Sequence, residues 1–207
     1  MNNKYLVFFI GMFLLQVMVA DGGAFIVDVD DPKESRKNYE QPANIYRVNE
    51  NNVKSIYDVK IENLTVVYVN RVNEDGTMIV DIYNPPEGLN ERERVVMLGI
   101  GAAETGNRRN NRPGISRNGN QNFPQEAYSY MKQIVEKQFV YLAFDWELRD
   151  RRESLLAYVF FKSGGDLNGI LVRQGLARMD DRYVYQFEEQ FEKFENSARV
   201  QRYGVWR

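Results

Sequence analysis

Residues 64–84, LTVVYVNRVNEDGTMIVDIYN, hold two runs rich in β-branched and aromatic residues, 64–72 and 77–83, with only Asn73-Glu74-Asp75-Gly76 between them. Four turn-forming residues between two such runs leave room for an antiparallel hairpin and for little else. A second polar turn, NPPEGLNERE, leads into RVVMLGIG, a third run whose continuous apolar stretch predicts burial on both faces. Further along, FVYLAFDWE and LLAYVFF are two more strands, joined by the basic turn LRDRRES. Three helical patterns complete the chain. Ala127, Tyr130, Met131, Ile134 and Val135 recur at helical spacing after Pro124. DLNGILVRQGLARM is a short helix ending at Gly175, and Phe187, Phe191, Phe194 and Ala198 mark an amphipathic helix near the C-terminus. The order βββ-α-ββ-α-α predicts an α+β domain: a five-stranded, partly open barrel of the oligonucleotide-binding type, with three helices packed on it.

The 207 residues suffice for one well-buried domain with an appendage. The absence of Cys and His excludes thiol nucleophiles, Ser-His dyads, zinc-thiolate sites and imidazole bases. Acid-base work would fall to Asp, Glu, Lys, Arg or Tyr, and any metal would be a hard cation with oxygen ligands. At the N-terminus, Lys4 precedes an apolar run over residues 5–20 and then small residues, the pattern of a secretory signal over 1–24. As a helix this run rises about 24 Å, short of the ~30 Å hydrocarbon core, which favours a cleavable leader over a permanent anchor. An exported, secreted or periplasmic protein is therefore expected. Residues 25–60 are acidic and Asn-rich with little periodicity, and read as an extension or linker with one added strand at FIVDVDD. The domain proper then spans 61–207.

The segments LGIGAAE, RDRRESLLAYVFF, LNGILVRQGLAR and YGVW together resemble the staphylococcal nuclease-like, or thermonuclease, domain family, over about residues 64–206. The resemblance implies, for active members, a calcium ion held by two acidic residues and a backbone carbonyl. It also implies a glutamate that activates water and two arginines on the scissile phosphate. Such chemistry has a clear physical need: an anionic diester calls for a hard metal, bidentate guanidinium donors and a positioned base.

Position by position, Glu104 falls on the general base. The metal-binding aspartate is replaced by Gly101, its carbonyl-bearing neighbour by Ala102, and the two arginines by Val96 and Ser154. Asp75 is the candidate for the other metal acid, with Glu74 and Asn73 as alternatives for that place. Loss of one preorganised donor typically costs ~10²–10³ in rate, so the resemblance implies a catalytically impaired or inactive member. In a second arrangement, Arg94 and Arg152, each two residues before a lost arginine, reach the pocket from positions displaced by ~7 Å along their strands. This would give a secreted calcium-dependent nuclease acting on DNA or RNA with Glu104, Arg94 and Arg152 as catalytic groups and Asp75 on the metal.

Each feature has a plainer reading as well. Glu104 suits a loop or cap carboxylate, Asp75 a turn residue, and Arg149, Arg151 and Arg152 a solvated hairpin end. Arg92 and Arg94, with Glu91 and Glu93, suit a solvated strand end. Residues 105–125 carry Arg108, Arg109, Arg112 and Arg117 among Asn and Gly with no acid before Gln125, which suits loose contact with single-stranded nucleic acid or a solubilising loop. The net charge of −2 argues against a general polyanion binder and leaves a protein partner open. No cofactor is expected unless the protein is an active nuclease, in which case it is calcium.

Overall fold

The structure, a computed structural model, describes residues 5–10, 13–20 and 23–29 as strands, and residues 41–101 and 124–207 in full. The hairpin predicted from residues 64–84 forms. Strand β4 (Thr65–Val72) pairs antiparallel with β5 (Met78–Asp81), with a bulge between Val69 and Arg71. The turn between them closes by Gly76 N–H donating to the Asn73 carbonyl at 2.9 Å. β6 (Arg92–Met97) pairs antiparallel with β5, while β8 (Phe139–Ala143) and β9 (Leu155–Phe160) pair with each other. A parallel β6–β9 pairing and an antiparallel β4–β8 pairing close the barrel in the order β4-β5-β6-β9-β8. The expected architecture is therefore present, and the barrel has no free edge.

Burial on both faces, predicted for the third run, holds only at its end. β6 alternates, with Glu93, Val95 and Met97 buried and Arg92 and Arg94 exposed. All six residues of β9 are buried, because helices cover its outer face. Helix α1 (Gln125–Val135) turns Ala127, Met131, Ile134 and Val135 to the core, and α3 (Glu188–Gln201) turns Phe191 and Ala198 inward. The short α2 (Leu167–Arg173) is capped by Asp166, whose side chain accepts from Gly169 N–H. Buried Asn168 ties α2 to β9 and to the end of β6: its Oδ1 accepts from Val159 N–H at 2.9 Å and its Nδ2 donates to the Leu98 carbonyl at 2.9 Å.

Beyond β6 the chain turns sharply at Gly99 (φ 75°), where a Cβ would lie 2.7 Å from the Tyr185 ring. It continues as the two-residue β7 (Ile100–Gly101), which pairs antiparallel with β10 (Arg178–Met179). This small ladder was not anticipated from the sequence.

Residues 41–60, read from the sequence as part of a linker, are packed on the barrel. Val48, Val53, Ile56 and Val59 join the core, and Val48 N–H donates to the Phe144 carbonyl at 2.9 Å. Gln41 and Gln190 supply side-chain hydrogen bonds to the Val66 and Ile56 backbone. Buried Asp145 accepts from Tyr158 Oη at 2.8 Å and Gln186 N–H at 2.7 Å, joining the barrel to the approach of α3.

At the N-terminus, β1 (Tyr5–Ile10), β2 (Phe13–Ala20) and β3 (Gly23–Val29) form a separate antiparallel sheet. As a helix the apolar run is too short to span a bilayer, and in the structure residues 5–10 and 13–20 are paired strands. A run of Phe, Val, Ile and Leu satisfies either state, and here strand pairing supplies its backbone partners. No helix among the described residues is long and apolar enough to cross a membrane.

Candidate functional site

β6, its continuation through Gly99 into β7, and the basic turn before β9 carry the positions singled out by sequence. Arg92, Arg94 and Val96 alternate onto one face of β6, as strand geometry demands. Val96 is half-buried against the core and pairs with Leu156 of β9. Ser154 is buried in the turn: its N–H donates to Asp150 Oδ1 at 2.8 Å, and its carbonyl accepts from Asp150 N–H at 2.9 Å. Neither position presents a cation. Glu104, Ala102, Ala103, Arg108, Arg109, Arg112 and Arg117 lie outside the described residues.

Two of the proposed site residues meet directly. Arg94 Nη2 forms an ion pair with Asp75 Oδ2, while Asp75 Oδ1 accepts from Thr77 N–H at 3.1 Å and Thr77 Oγ at 2.6 Å. Asp75 is thus a capped turn residue whose two oxygens are both engaged. Arg152 is exposed. Its N–H donates to Asp150 Oδ1 at 2.8 Å, and among the described residues its guanidinium has no ion-pair or hydrogen-bond partner.

The solvated readings of the strand end and the hairpin end need correction at Glu93 and Arg149. Glu93 is buried and takes two hydrogen bonds from Arg149, Nη2 to Oε1 at 2.7 Å and Nη1 to Oε2 at 3.0 Å. Asn90 adds its N–H and Nδ2 to Oε1, each at 2.8 Å. Burial alone would raise the Glu93 carboxyl pKa. The hydrogen bonds from Arg149 and Asn90 outweigh it, and the net shift is down.

A second group missed by sequence reasoning lies beside Gly101. The β7–β10 ladder pairs Arg178 with Gly101, and Asp180 N–H then donates to the Gly99 carbonyl at 3.1 Å. A Cβ at position 101 would lie 3.4 Å from the Asp180 Cβ and 3.6 Å from Oδ2. The carboxylate beside this backbone therefore comes from the neighbouring strand's extension. Arg182 grips it, with Nε 2.8 and 2.7 Å from the two oxygens and Nη2 2.5 Å from Oδ2. The hydrogen bond to Asp180 favours the Arg182 cation against burial, with further Coulombic help from Asp180 and Asp150. Asp150 also helps to raise the Tyr183 hydroxyl, after burial itself. The only sequence signal was the polar run DDR after a helical pattern, which has no period of its own.

These residues do not fit the calcium ion that the resemblance implies. Calcium takes six to eight oxygen ligands. Among the described residues no three acidic side chains gather to hold one. Position 101 has no side chain, Asp75 is held by Thr77 and Arg94, and Asp180 is held by Arg182.

A family model described as "Staphylococcal nuclease homologue" matches residues 94–207, more than half of the chain. No curated protein matches it.

Proposed function

The chain belongs to the staphylococcal nuclease homologue family, and from that premise we propose that it is an exported, catalytically impaired member that binds single-stranded nucleic acid without efficient hydrolysis. One observation carries the reading: the three positions that would hold the phosphate and the metal are Val96, Ser154 and Gly101. Two of these are packed into the fold, and the third, Gly101, has no side chain and lies beside Asp180, which Arg182 holds. Fold alone does not license activity, and without its donors a diester-hydrolysing site keeps binding more readily than rate. The arginines at 108, 109, 112 and 117 supply the sequence's densest acid-free cationic segment beside Glu104. Export rests on the pattern of residues 1–24.

A second reading, the calcium-dependent nuclease, draws on the retained Glu104 and on the exposed guanidinium of Arg152. A protein partner is the outcome to pursue if nucleic acid fails.

The expected result is salt-sensitive binding of a labelled oligothymidylate, read by fluorescence anisotropy. The logarithm of the affinity should fall with the logarithm of salt by roughly 0.7 per phosphate contacted. Converting Arg108, Arg109, Arg112 and Arg117 to Gln together should flatten that slope. No binding at about 50 mM salt would remove nucleic acid as the ligand.

A further inference from the structure

We infer that this member's phosphate contact is metal-independent, with the guanidinium of Arg182, clamped by Asp180 beside Gly101, supplying the cationic contact that calcium would otherwise supply. The inference rests on the nucleic-acid reading above for its ligand, the phosphodiester groups of a single strand.

Three observations converge on it. Gly101 has no side chain, yet a carboxylate is close by: Asp180 stands where a Cβ at position 101 would meet it at van der Waals distance. That carboxylate is only 10% exposed on its side chain, and its nearest cation is internal: Arg182 engages both of its oxygens through Nε and Nη2. A guanidinium also engages the other candidate metal acid, where Arg94 pairs with Asp75. Two sites that would have offered oxygen atoms to a divalent ion are each neutralised by a guanidinium.

Arg182 is more than a plug. Its side chain is 54% exposed, and the side-on grip through Nε and Nη2 leaves the Nη1 donors without a partner among the described residues. A guanidinium fixed by a carboxylate on one edge and open on the other presents planar N–H donors in a set orientation, the geometry that phosphate oxygens accept. The fold supplies the fixing. Asp180 N–H is bonded to the Gly99 carbonyl, and Asp180 Oδ1 also accepts from Arg182 N–H at 3.1 Å, so both ends of the pair are tied to the β7–β10 ladder. Asp150 of the turn before β9 also stabilises the Arg182 cation.

The test uses the full chain in two arms. In the first, millimolar calcium is added to EDTA-treated protein and thermal unfolding is followed. An unchanged transition is expected, and a saturable rise would overturn the cation claim. In the second, anisotropy of a labelled oligothymidylate is measured in EDTA and in calcium for the parent, for Arg182→Gln, and for Arg92→Gln. Arg92 is an exposed residue paired with Asp81 and serves as the control. Binding should be the same in EDTA and calcium, weaken at least about fivefold in Arg182→Gln, and hold in Arg92→Gln. Binding that needs calcium, or that ignores Arg182→Gln while the variant keeps the parent's melting temperature, overturns the proposal. If the parent binds no oligonucleotide at all, the nucleic-acid reading fails and takes the role of Arg182 with it, while the calcium arm still decides the cation claim.

Discussion

Arg149→Met is expected to destabilise the domain by about 3–5 kcal/mol, because it strands a buried carboxylate. Glu93 is 6% exposed, and Arg149 supplies a bidentate contact that Asn90 cannot replace. The same guanidinium donates to the Gly88 and Glu153 carbonyls, at 3.0 and 2.9 Å, so its loss also frees the turn before β6 and the turn before β9. Glu93→Gln combined with Arg149→Met removes the uncompensated charge and should recover a large part of the loss, since apolar or neutral replacement of a whole buried pair is often close to neutral. Urea denaturation of the parent, both single variants and the double variant gives the coupling directly. A single-variant cost below about 1 kcal/mol would place the pair among ordinary surface ion pairs and contradict its buried geometry.

Asp166→Asn should act in the opposite direction. Asp166 caps α2, is 2% exposed, and has Arg173 at 3.6 Å as its counter-ion. Burial raises its carboxyl from 3.8 to about 6, against the lowering effects of Arg173 and the Gly169 N–H. A carboxyl raised on folding contributes stability that is fully present below pH 3.8 and is lost as pH rises through about 6. The shift amounts to about 3 kcal/mol lost by neutral pH. Asn keeps a side-chain oxygen for the Gly169 N–H and carries no charge, so the variant should be more stable than the parent at pH 7.5, with the advantage shrinking toward pH 4. Arg173 retains Tyr57 Oη at 2.7 Å and stacks over the Phe194 ring at 4.7 Å, so it is not left bare. Glu93 works the other way, its lowered carboxyl losing stability as pH falls below its ordinary range, and it is common to both proteins. A difference between variant and parent that does not change with pH would contradict the assignment.

The barrel was legible because its strands are long enough to show a period and its hairpin turn uses residues with few other uses. β4, β5, β8 and β9 lie within the runs identified from sequence, and β6 begins two residues earlier than its run, at Arg92 inside the stretch read as a turn. The β7–β10 ladder was not legible, since two-residue strands carry no period, and it is what brings Asp180 beside Gly101. The packing of Val48, Val53, Ile56 and Val59 was hidden for a related reason: an irregular segment can bury apolar residues without repeating them. Glu93 alternates with arginines in ERER and looks solvated, whereas its partner Arg149 lies 56 residues away, at the turn before β9. Within the candidate site, sequence picked out Asp75 and Arg94 as separate contributors to catalysis. The structure instead pairs them with each other.

The proposed loss of cleavage in a chain that keeps the nuclease fold is open to a single-turnover assay. An end-labelled single-stranded DNA and an RNA of the same sequence are incubated with excess protein, in calcium and in EDTA, beside Glu104→Gln. The expected result is strand loss no faster than in Glu104→Gln and no difference between calcium and EDTA. Calcium-dependent cleavage that disappears in Glu104→Gln would contradict it.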